Sequence, residues 1–485
     1  MSKQIQNNFD KLFIGGEWLF PVNGKTLEIQ NPHDLTIVGT VPMASKADVD
    51  KAVAVAKQAF DKKIWWGKSV DERLTVLRKF QSLLNEYAQS IAEIITLENG
   101  SSINFNKALQ EQVIPIVNNS IFEDAEQFDW EIERDNWDGS KVLIVREPVG
   151  VVAAIVPWNA PQQSALGKVI PALVAGNSVI LKPTPETAID AMALGDIFNE
   201  AGLPKGVLSI LPADREVSAY LTSVPDVDKI AFTGSTGAGI AIAQTAGAQM
   251  KRFTLELGGK SAGIILDDAT PEQIVSTVLM RSLVNNGQVC IGLTRLLVPQ
   301  QRYEEITSAL AYAMSQIKLG NPMDASNYIG PLFHEPQFNR VRNYIQIGLD
   351  EGATIATGGL DKPEGAEYEK GWYVKPTLFT NVNNKMRIAR EEIFGPVVVA
   401  IPYNTIEEAI EIANDSEFGL NGGIITSNRE KGLEIAKQIR TGGVSLNTYS
   451  PDLKSPFGGF KKSGVGREMG KYALEGFTEL KTIVY

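Results

Sequence analysis

A 485-residue chain with one cysteine, Cys290, and two histidines, His33 and His334, has few side chains able to act as nucleophile or base. Cys290 stands in NNGQVCIGLTR (285–295). A lone intracellular cysteine is commonly a small apolar packing residue. Here Val289 and Ile291 flank it, while Gly287, Gln288 and Gly292 surround it with permissive backbone, the setting of an accessible thiol. Thiolate chemistry also needs local activation. One cysteine excludes an intrachain disulfide and cysteine-rich zinc or iron–sulfur sites. Two histidines are few for a His-based metal centre or a Ser-His-Asp triad, so no metal site is expected.

Three further positions carry chemistry. Glu256, in FTLELGGKSA (253–262), is a carboxylate beside an apolar strand, just before Gly258 and Gly259. A charged strand end is ordinarily solvated or paired; a partly buried one can act as a general base. The two glycines let backbone approach a bound group closely. The 34 residues between Glu256 and Cys290 have no local geometric meaning, so the pair meets only through the fold. Asn159, in VPWNAP (156–161), reads as a turn residue between prolines, or as an amide donor aimed at a developing oxyanion. Lys182 ends a buried strand before Pro183, where it either caps the strand in solvent or reaches the ribose or phosphate of a ligand at the sheet edge.

These residues need elements to hold them. From about 149 to 270 apolar strand-like runs alternate with helical segments: VGVVAAIV (149–156), SVILK (178–182), VLSIL (207–211), KIAFTG (229–234) and AGIIL (262–266). Fully apolar strands in a βαβ rhythm imply a parallel sheet covered by helices on both faces. FTGSTGAG (232–239) joins a strand to a helix, whose free N-terminus can receive a pyrophosphate, although it lacks the G-x-G-x-x-G spacing. The first 125 residues read mostly as helices, clearest over 47–60 and 72–98. An acidic, Trp-bearing stretch over 123–146 reads as an excursion. A second α/β pattern follows from about 270, with strands near 294–298, 395–401, 422–426 and 443–447. Two α/β domains plus a small extension are expected.

The net charge of −11 opposes a general role on nucleic acid or an anionic membrane surface. The N-terminal MSKQIQNNFDKLF has no apolar core of signal-peptide length, and no apolar run approaches that of a membrane helix. With the single cysteine, this points to a reduced, cytoplasmic compartment.

In order along the chain stand PWN (157–159), LKP (181–183), FTGST (232–236), LELGG (255–259), GQVC (287–290), EEIFGPV (391–397) and PFGGFKKSGVGRE (456–468). With these motifs the chain resembles the aldehyde dehydrogenase superfamily from about Phe13 to its C-terminus. The resemblance implies an α/β fold with a Rossmann-like cofactor domain (1–126 and 149–257), a catalytic domain (258–458), and an oligomerisation flap with C-terminal tail (127–148 and 459–485). It implies a small-molecule aldehyde substrate, a homodimer or homotetramer, and no nucleic-acid or membrane partner. Cys290 then matches the nucleophile, Glu256 the base for the deacylating water, and Asn159 with the Cys290 N–H the oxyanion donors. Lys168 and Glu468 match a proton relay. Pro157, Trp158, Lys182, Thr184, Glu186, Gly234, Ser235, Leu257, Gly258, Glu392 and Phe394 fall on the cofactor site, with Lys182 at the adenosine ribose, Gly234 and Ser235 at the pyrophosphate, and Glu392 and Phe394 at the nicotinamide end.

One departure concerns the cofactor. NAD-preferring members commonly carry Glu three residues after the lysine; here Pro185 stands there and Glu186 follows. Without that carboxylate, Lys182 and Thr184 can receive a 2′-phosphate, so the expectation is NAD or NADP, tipped to NAD because Glu186 can still reach the ribose. The stretch APQQSALG (160–167) has no aromatic residue or charge, Val289 and Ile291 flank the thiol, and Tyr449, Leu453 and Phe457 are candidate walls. No arginine stands out as a carboxylate clamp, since the motif makes Arg295 structural. A neutral, mainly apolar aldehyde, aliphatic or aromatic, is expected. The rivals are a CoA-acylating aldehyde dehydrogenase, disfavoured by Glu256, and a non-catalytic scaffold of the same fold, disfavoured by the intact Cys290, Glu256 and Asn159.

Overall fold

The computed structural model describes residues 3–447 and 452–485. Apolar strands that alternate their side chains between two faces can be buried only if both faces are covered. Val152 and Ala154 enter one core, with Val179 and Leu181, under the helices Val70–Asn99, Pro161–Val174 and Ile189–Ala201. Val151, Ala153 and Ile155 enter the other, under Lys46–Asp61, Arg215–Ser223 and Thr236–Ala248. Between the two cores runs an eight-stranded sheet. Its five central strands are parallel, in the spatial order Leu208–Ile210, Ser178–Lys182, Val151–Ile155, Lys229–Thr233, Arg252–Glu256. The strand order reverses at Val151–Ile155, which opens a crevice at the C-terminal ends of the strands.

The second sheet has seven strands, in the order Thr354–Thr357, Thr377–Thr380, Val397–Tyr403, Leu293–Pro299, Ser261–Ile265, Asn421–Ile425, Gly443–Leu446. All but the first edge strand run parallel. It is buried on both faces by the same alternation: Ile264, Leu297 and Val399 enter one core, Ile265, Leu296, Val298 and Val398 the other. A third, antiparallel sheet joins Glu131–Asp135, Lys141–Pro148 and Thr478–Val484.

Two expectations change. The first 45 residues are not mainly helical: they hold the strands Leu12–Ile14, Glu17–Leu19, Thr26–Gln30 and Ile37–Pro42. The first two extend the eight-stranded sheet antiparallel at its edge. Three-residue strands are too short to show a period. The run at 262–266, read as a fifth strand of the βαβ series, lies in the second sheet, as Ser261–Ile265; the fifth parallel strand of the first is Arg252–Glu256. No helix among the described residues is long and apolar enough to cross a membrane.

The segment before Cys290 has unusual backbone. Asn285, Asn286 and Gly287 have φ of 53°, 58° and 71° in succession, a left-handed run that glycine tolerates and asparagine accepts. Both asparagine side chains are spent on holding it: Asn286 Nδ2 donates to the carbonyls of Gly100 and Pro331 (2.9 and 2.8 Å), and Asn285 Nδ2 to that of Asn159 (2.8 Å). A Cβ at Gly287 would fall 2.3 Å from the carbonyl of Gly395. Gly287→Ala is therefore expected to lower the Tm by about 5 °C or more and to change the reaction rate of Cys290 with thiol reagents; an unaltered melting curve and labelling rate would contradict this placement of the loop.

Candidate active site

The chain passes from the C-terminal end of a strand in the first large sheet to the N-terminal end of a strand in the second through residues 257–260. On one side lie the C-terminal ends of the first sheet's strands: Pro157, Trp158 and Asn159 follow Val151–Ile155, Lys182 ends Ser178–Lys182, Gly234 and Ser235 follow Lys229–Thr233, and Glu256 ends Arg252–Glu256. On the other lie the N-terminal approaches to the second sheet's strands: Gly258 and Gly259 lead into Ser261–Ile265, Cys290 into Leu293–Pro299, and Glu392 and Phe394 into Val397–Tyr403. Residues spread over more than two hundred positions thus converge on one cleft.

Cys290 is a free, half-buried thiol. Its carbonyl oxygen lies 2.4 Å from where a Cβ on Gly259 would stand, so only glycine fits there. Asn159 Nδ2 donates to the carbonyl of Gln288 at 2.9 Å. An amide carries two N–H donors, and this bond occupies one. Burial, and then the charges of Glu392 and Glu256, push the Cys290 thiol up to about 12. Carboxylates near a thiol disfavour the thiolate, so the protein's own side chains leave the nucleophile protonated.

Glu256 is 2% exposed. Neither carboxylate oxygen has a hydrogen-bond partner among the described residues. Burial first, and repulsion from Glu468 second, raise its pKa well above the ordinary carboxylate range, while Lys168 and Arg467 pull the other way. Gly458 makes room: a Cβ there would lie 2.7 Å from Glu256 Oε1. Lys168, wholly buried, forms an ion pair with Glu468 and donates to Thr233 Oγ1 at 2.6 Å. Glu468 is fixed by paired backbone bonds with Phe457, both 2.7 Å.

A dinucleotide needs donors that the protein has left free, and the cleft has them. Lys182 is buried at the strand end, its ammonium without a hydrogen-bond partner among the described residues; burial depresses it to about 8 against the opposing pull of Glu186 and Asp214. Ser235 caps the helix Thr236–Ala248, accepting from Ala238 N. Gly234 N donates to the Glu256 carbonyl at 3.0 Å, tying the turn before the helix Thr236–Ala248 to the end of the strand Arg252–Glu256. Thr184 Oγ1 donates to the Val156 carbonyl at 3.1 Å, and Glu186 is exposed on the turn Pro185–Thr187. Leu257 is buried, its N–H bound to the Ser463 carbonyl at 2.9 Å. Glu392 Oε1 accepts from Gly259 N at 2.9 Å, and a Cβ on Gly258 would strike Glu392 Oε2 at 2.4 Å. Phe394 has φ 64°, backbone strain that the helix Glu335–Asp350 holds by a bond from Gln337 Nε2 to its carbonyl at 2.7 Å. Trp158 stacks on Phe333, centroids 4.4 Å apart, and meets Phe394 edge-on at 5.4 Å.

Arg295 is no carboxylate clamp: it is buried and donates to the carbonyls of Lys260, Ile412 and Ala413 and to Asn384 Oδ1. Of the candidate walls, Leu453 packs against the first core, Phe457 is half-buried beside Glu468, and Tyr449 lies outside the described residues. Sequence reasoning missed Ser463 and Phe333. Only the NNG tripeptide, a turn signal, marked the left-handed run. Ser463 and Phe333 carry no local signature. No group of three or more metal-ligating side chains occurs among the described residues.

The aldehyde dehydrogenase family model matches residues 18–483, and the chain belongs to that family. As such it is an NAD(P)-dependent oxidoreductase that converts aldehydes to carboxylic acids. Geranial dehydrogenase of Castellaniella defragrans is 39% identical over 472 residues, covering 97% of this chain and 98% of the relative. 3-Succinoylsemialdehyde-pyridine dehydrogenase of a Pseudomonas species is 39% identical, covering 98% of both. The crystal structure of a Mycobacterium tuberculosis aldehyde dehydrogenase complexed with NAD+ superposes with a TM-score of 0.96 at 42% identity, covering 99% of this chain and 98% of that one.

Because Arg295 is buried and holds three other segments by hydrogen bonds, Arg295→Met is expected to cost about 3 kcal/mol or more of stability, through buried carbonyls left without donors. The ratio of KM values for a charged and a neutral aldehyde should not move. A shift in that ratio at unchanged Tm would make it a substrate residue after all.

Proposed function

We propose that the chain oxidises a neutral, mainly apolar aldehyde to the free acid through a Cys290 thioester, hydrolysed with Glu256 as general base. The carrying observation is the Glu256 carboxylate, buried, unpartnered, and close enough in charge to raise the Cys290 thiol. A buried carboxyl with no hydrogen-bond partner is costly and is explained by a water that it must activate.

The Cys290 sulfur attacks the carbonyl carbon as its proton leaves to a base. The free N–H of Asn159 Nδ2 and the Cys290 backbone N–H stabilise the oxyanion, each donor being worth about 3–4 kcal/mol in comparable sites. When bound, the nicotinamide cofactor supplies the hydride acceptor and a cationic ring that favours a nearby thiolate. Glu256 then takes a proton from water, the water oxygen attacks the thioester carbon, and the C–S bond breaks to release acid and thiol. Lys168 and Glu468 are the pair through which Glu256 would exchange its proton. Pro157, Trp158, Leu257, Gly258, Glu392 and Phe394 would hold the nicotinamide half, Gly234 and Ser235 the pyrophosphate, and Lys182, Thr184 and Glu186 the adenosine ribose. NAD is the favoured cofactor, since Glu186 lies near enough to Lys182 to oppose its depression; the NAD+ complex of the M. tuberculosis relative supports the same choice. NADP remains the alternative.

The substrate reading rests on the helix face of Gln163, Ser164 and Gly167. These are half-buried and uncharged, and a Cβ on Gly167 would meet only Glu468, at 4.0 Å, which leaves room for a bulky group. The relative named for geranial is in keeping with this. Division at 126/127, 148/149, 257/258 and 458/459 into cofactor domain, catalytic domain and flap follows the same reading. Exposed Leu480, Ile483, Val484 and Tyr485 on the third sheet support pairing into a homodimer or homotetramer. A free nucleophilic thiol supports a cytoplasmic site of action.

Cys290→Ala should abolish oxidation. Glu256→Gln should keep one burst of reduced cofactor per site while lowering kcat by about 10²–10⁴-fold. Loss of the burst, or CoA-dependent turnover in the parent, would contradict this assignment. Because Cys290 and Glu256 both hold their protons more tightly than usual, kcat/KM should climb as pH rises through and above neutrality; a falling profile would oppose it. In an aldehyde panel, aliphatic, aromatic or terpenoid aldehydes should exceed succinic semialdehyde in kcat/KM, and the reverse order would overturn the substrate reading.

A further inference from the structure

Each turnover of the reaction proposed above frees two protons once the acid ionises, both from the water that cleaves the thioester, since the proton lost by the Cys290 thiol is restored when the thiol is released. Glu256, 2% exposed and without a hydrogen-bond partner, cannot hand them directly to bulk solvent. The adjacent strands show a continuation. Lys229–Thr233 and Arg252–Glu256 pair in parallel with Thr233 beside Glu256, Ala231 beside Thr254 and Lys229 beside Arg252. Alternate residues share a face. Lys229, Thr233, Thr254 and Glu256 therefore form a polar file on the face that Lys168 and Glu468 approach.

Lys229, at the far end of the file, is 2% exposed. Its Nζ donates to Thr254 Oγ1 at 2.8 Å and lies 5.0 Å from the Phe477 ring centroid. An ammonium has three donors, and this accounts for one. Lys229 also lines a cavity of about 490 Å³ with Thr254, Arg252, Gly466, Arg467 and Glu479. Burial depresses its pKa to about 8; Glu468 and Glu479 oppose this, Arg252 and Lys168 reinforce it. The same Glu468 acts on Glu256, so it lies within electrostatic reach of both ends of the file. The mechanism above uses neither Lys229 nor the cavity.

We propose that Lys229 passes protons between the Glu468–Lys168 pair and solvent in this cavity, acting through Glu468 as a positioning residue without touching substrate; the inference rests on the hydrolytic reading above. A proton taken from water by Glu256 moves to the Glu468 carboxylate, then to the Lys229 amine, then to cavity water. Glu256, Glu468 and Lys229 each return to their starting state, and no electrons are exchanged. Bridging waters complete the gaps, as such waters do in wet sites.

The test is stopped-flow production of reduced cofactor, with acid formation measured in parallel, for the parent, Lys229→Met, Lys229→Arg and Thr254→Val. Lys229→Met should keep the burst, lower kcat about tenfold or more with little change in KM, flatten the alkaline rise of kcat, and recover rate when a small amine buffer is added. Lys229→Arg keeps the charge and the hydrogen bond but cannot release a proton, so it should be as slow as the methionine variant. A purely structural lysine would instead be rescued by arginine and ignore buffer, which would overturn the proposal. If Lys229→Met does not fold, Lys229→Arg and Thr254→Val decide: parental kcat and pH profile in both would equally overturn it. Acid formation by the parent with unchanged variants sinks this path alone; no acid from the parent without CoA sinks the hydrolytic reading and this path together.

Discussion

Everything in the cleft depends on how the chain leaves one sheet and enters the other. Glu256 ends a strand of the first and Ser261 begins a strand of the second, so four residues, 257–260, make the crossing. Backbone in such a short buried crossing must find partners that are not in a ladder. Ser463 supplies two of them: its carbonyl accepts from Leu257 N and its Oγ donates to the Gly258 carbonyl at 2.7 Å, while the same Oγ accepts from Gly419 N at 2.9 Å. Glu392 takes Gly259 N. The crossing is thereby pinned by segments far downstream in the chain. The carboxylate at its start and Cys290, whose backbone carbonyl packs on Gly259, keep a fixed relation. Loosening Ser463 would move Glu256 and Cys290 apart without touching either.

The glycines at 258 and 259 follow from the same constraint. One faces the Glu392 carboxylate and the other the Cys290 carbonyl, each closer than any Cβ could stand. Close approach of the Glu392 side chain and the Cys290 backbone, rather than turn conformation, is what requires them: neither has a positive φ. The left-handed run at 285–287 is the complementary device. It turns the chain sharply enough to bring Cys290 back over Gly259, with asparagine side chains from the run itself acting as its staples.

The sequence showed these parts unevenly. Long apolar strands buried on both faces, such as Ser178–Lys182 and Lys229–Thr233, were legible to within a residue or two, because full burial leaves a continuous apolar run. Arg252–Glu256 was harder: it is flanked on one side only by the two-residue strand Gly464–Val465, and its residues alternate polar and apolar. The three-residue strands at 12–14 and 17–19 left no period to read. Candidate site residues were singled out by motif order through the family resemblance, not by spacing, since the fold alone brings Glu256 near Cys290. Partners without chemistry of their own, Ser463 above all, were not legible, because a buried serine serving three backbone groups looks like any other serine. Lys229 and Thr254 were hidden for a different reason. Their relation exists only across two parallel strands whose register must be known first.

The electrostatics of the cleft then carry a consequence for the resting protein. Two carboxylates press on a half-buried thiol. Burial first, and these charges second, push the thiol up and disfavour the thiolate. Oxidation and alkylation proceed through the thiolate, so the chain's only cysteine is protected while it stands alone. The arrangement that protects it also withholds its reactivity. Release requires positive charge or a proton acceptor to arrive beside it, and the open donors on the same cleft, Lys182 and the N-terminus of Thr236–Ala248, are suited to bind the kind of ligand that brings one. Protection and activation thus turn on two things, the burial of Cys290 and the charge next to it, and Glu392 is the first of the two charges that add to the burial.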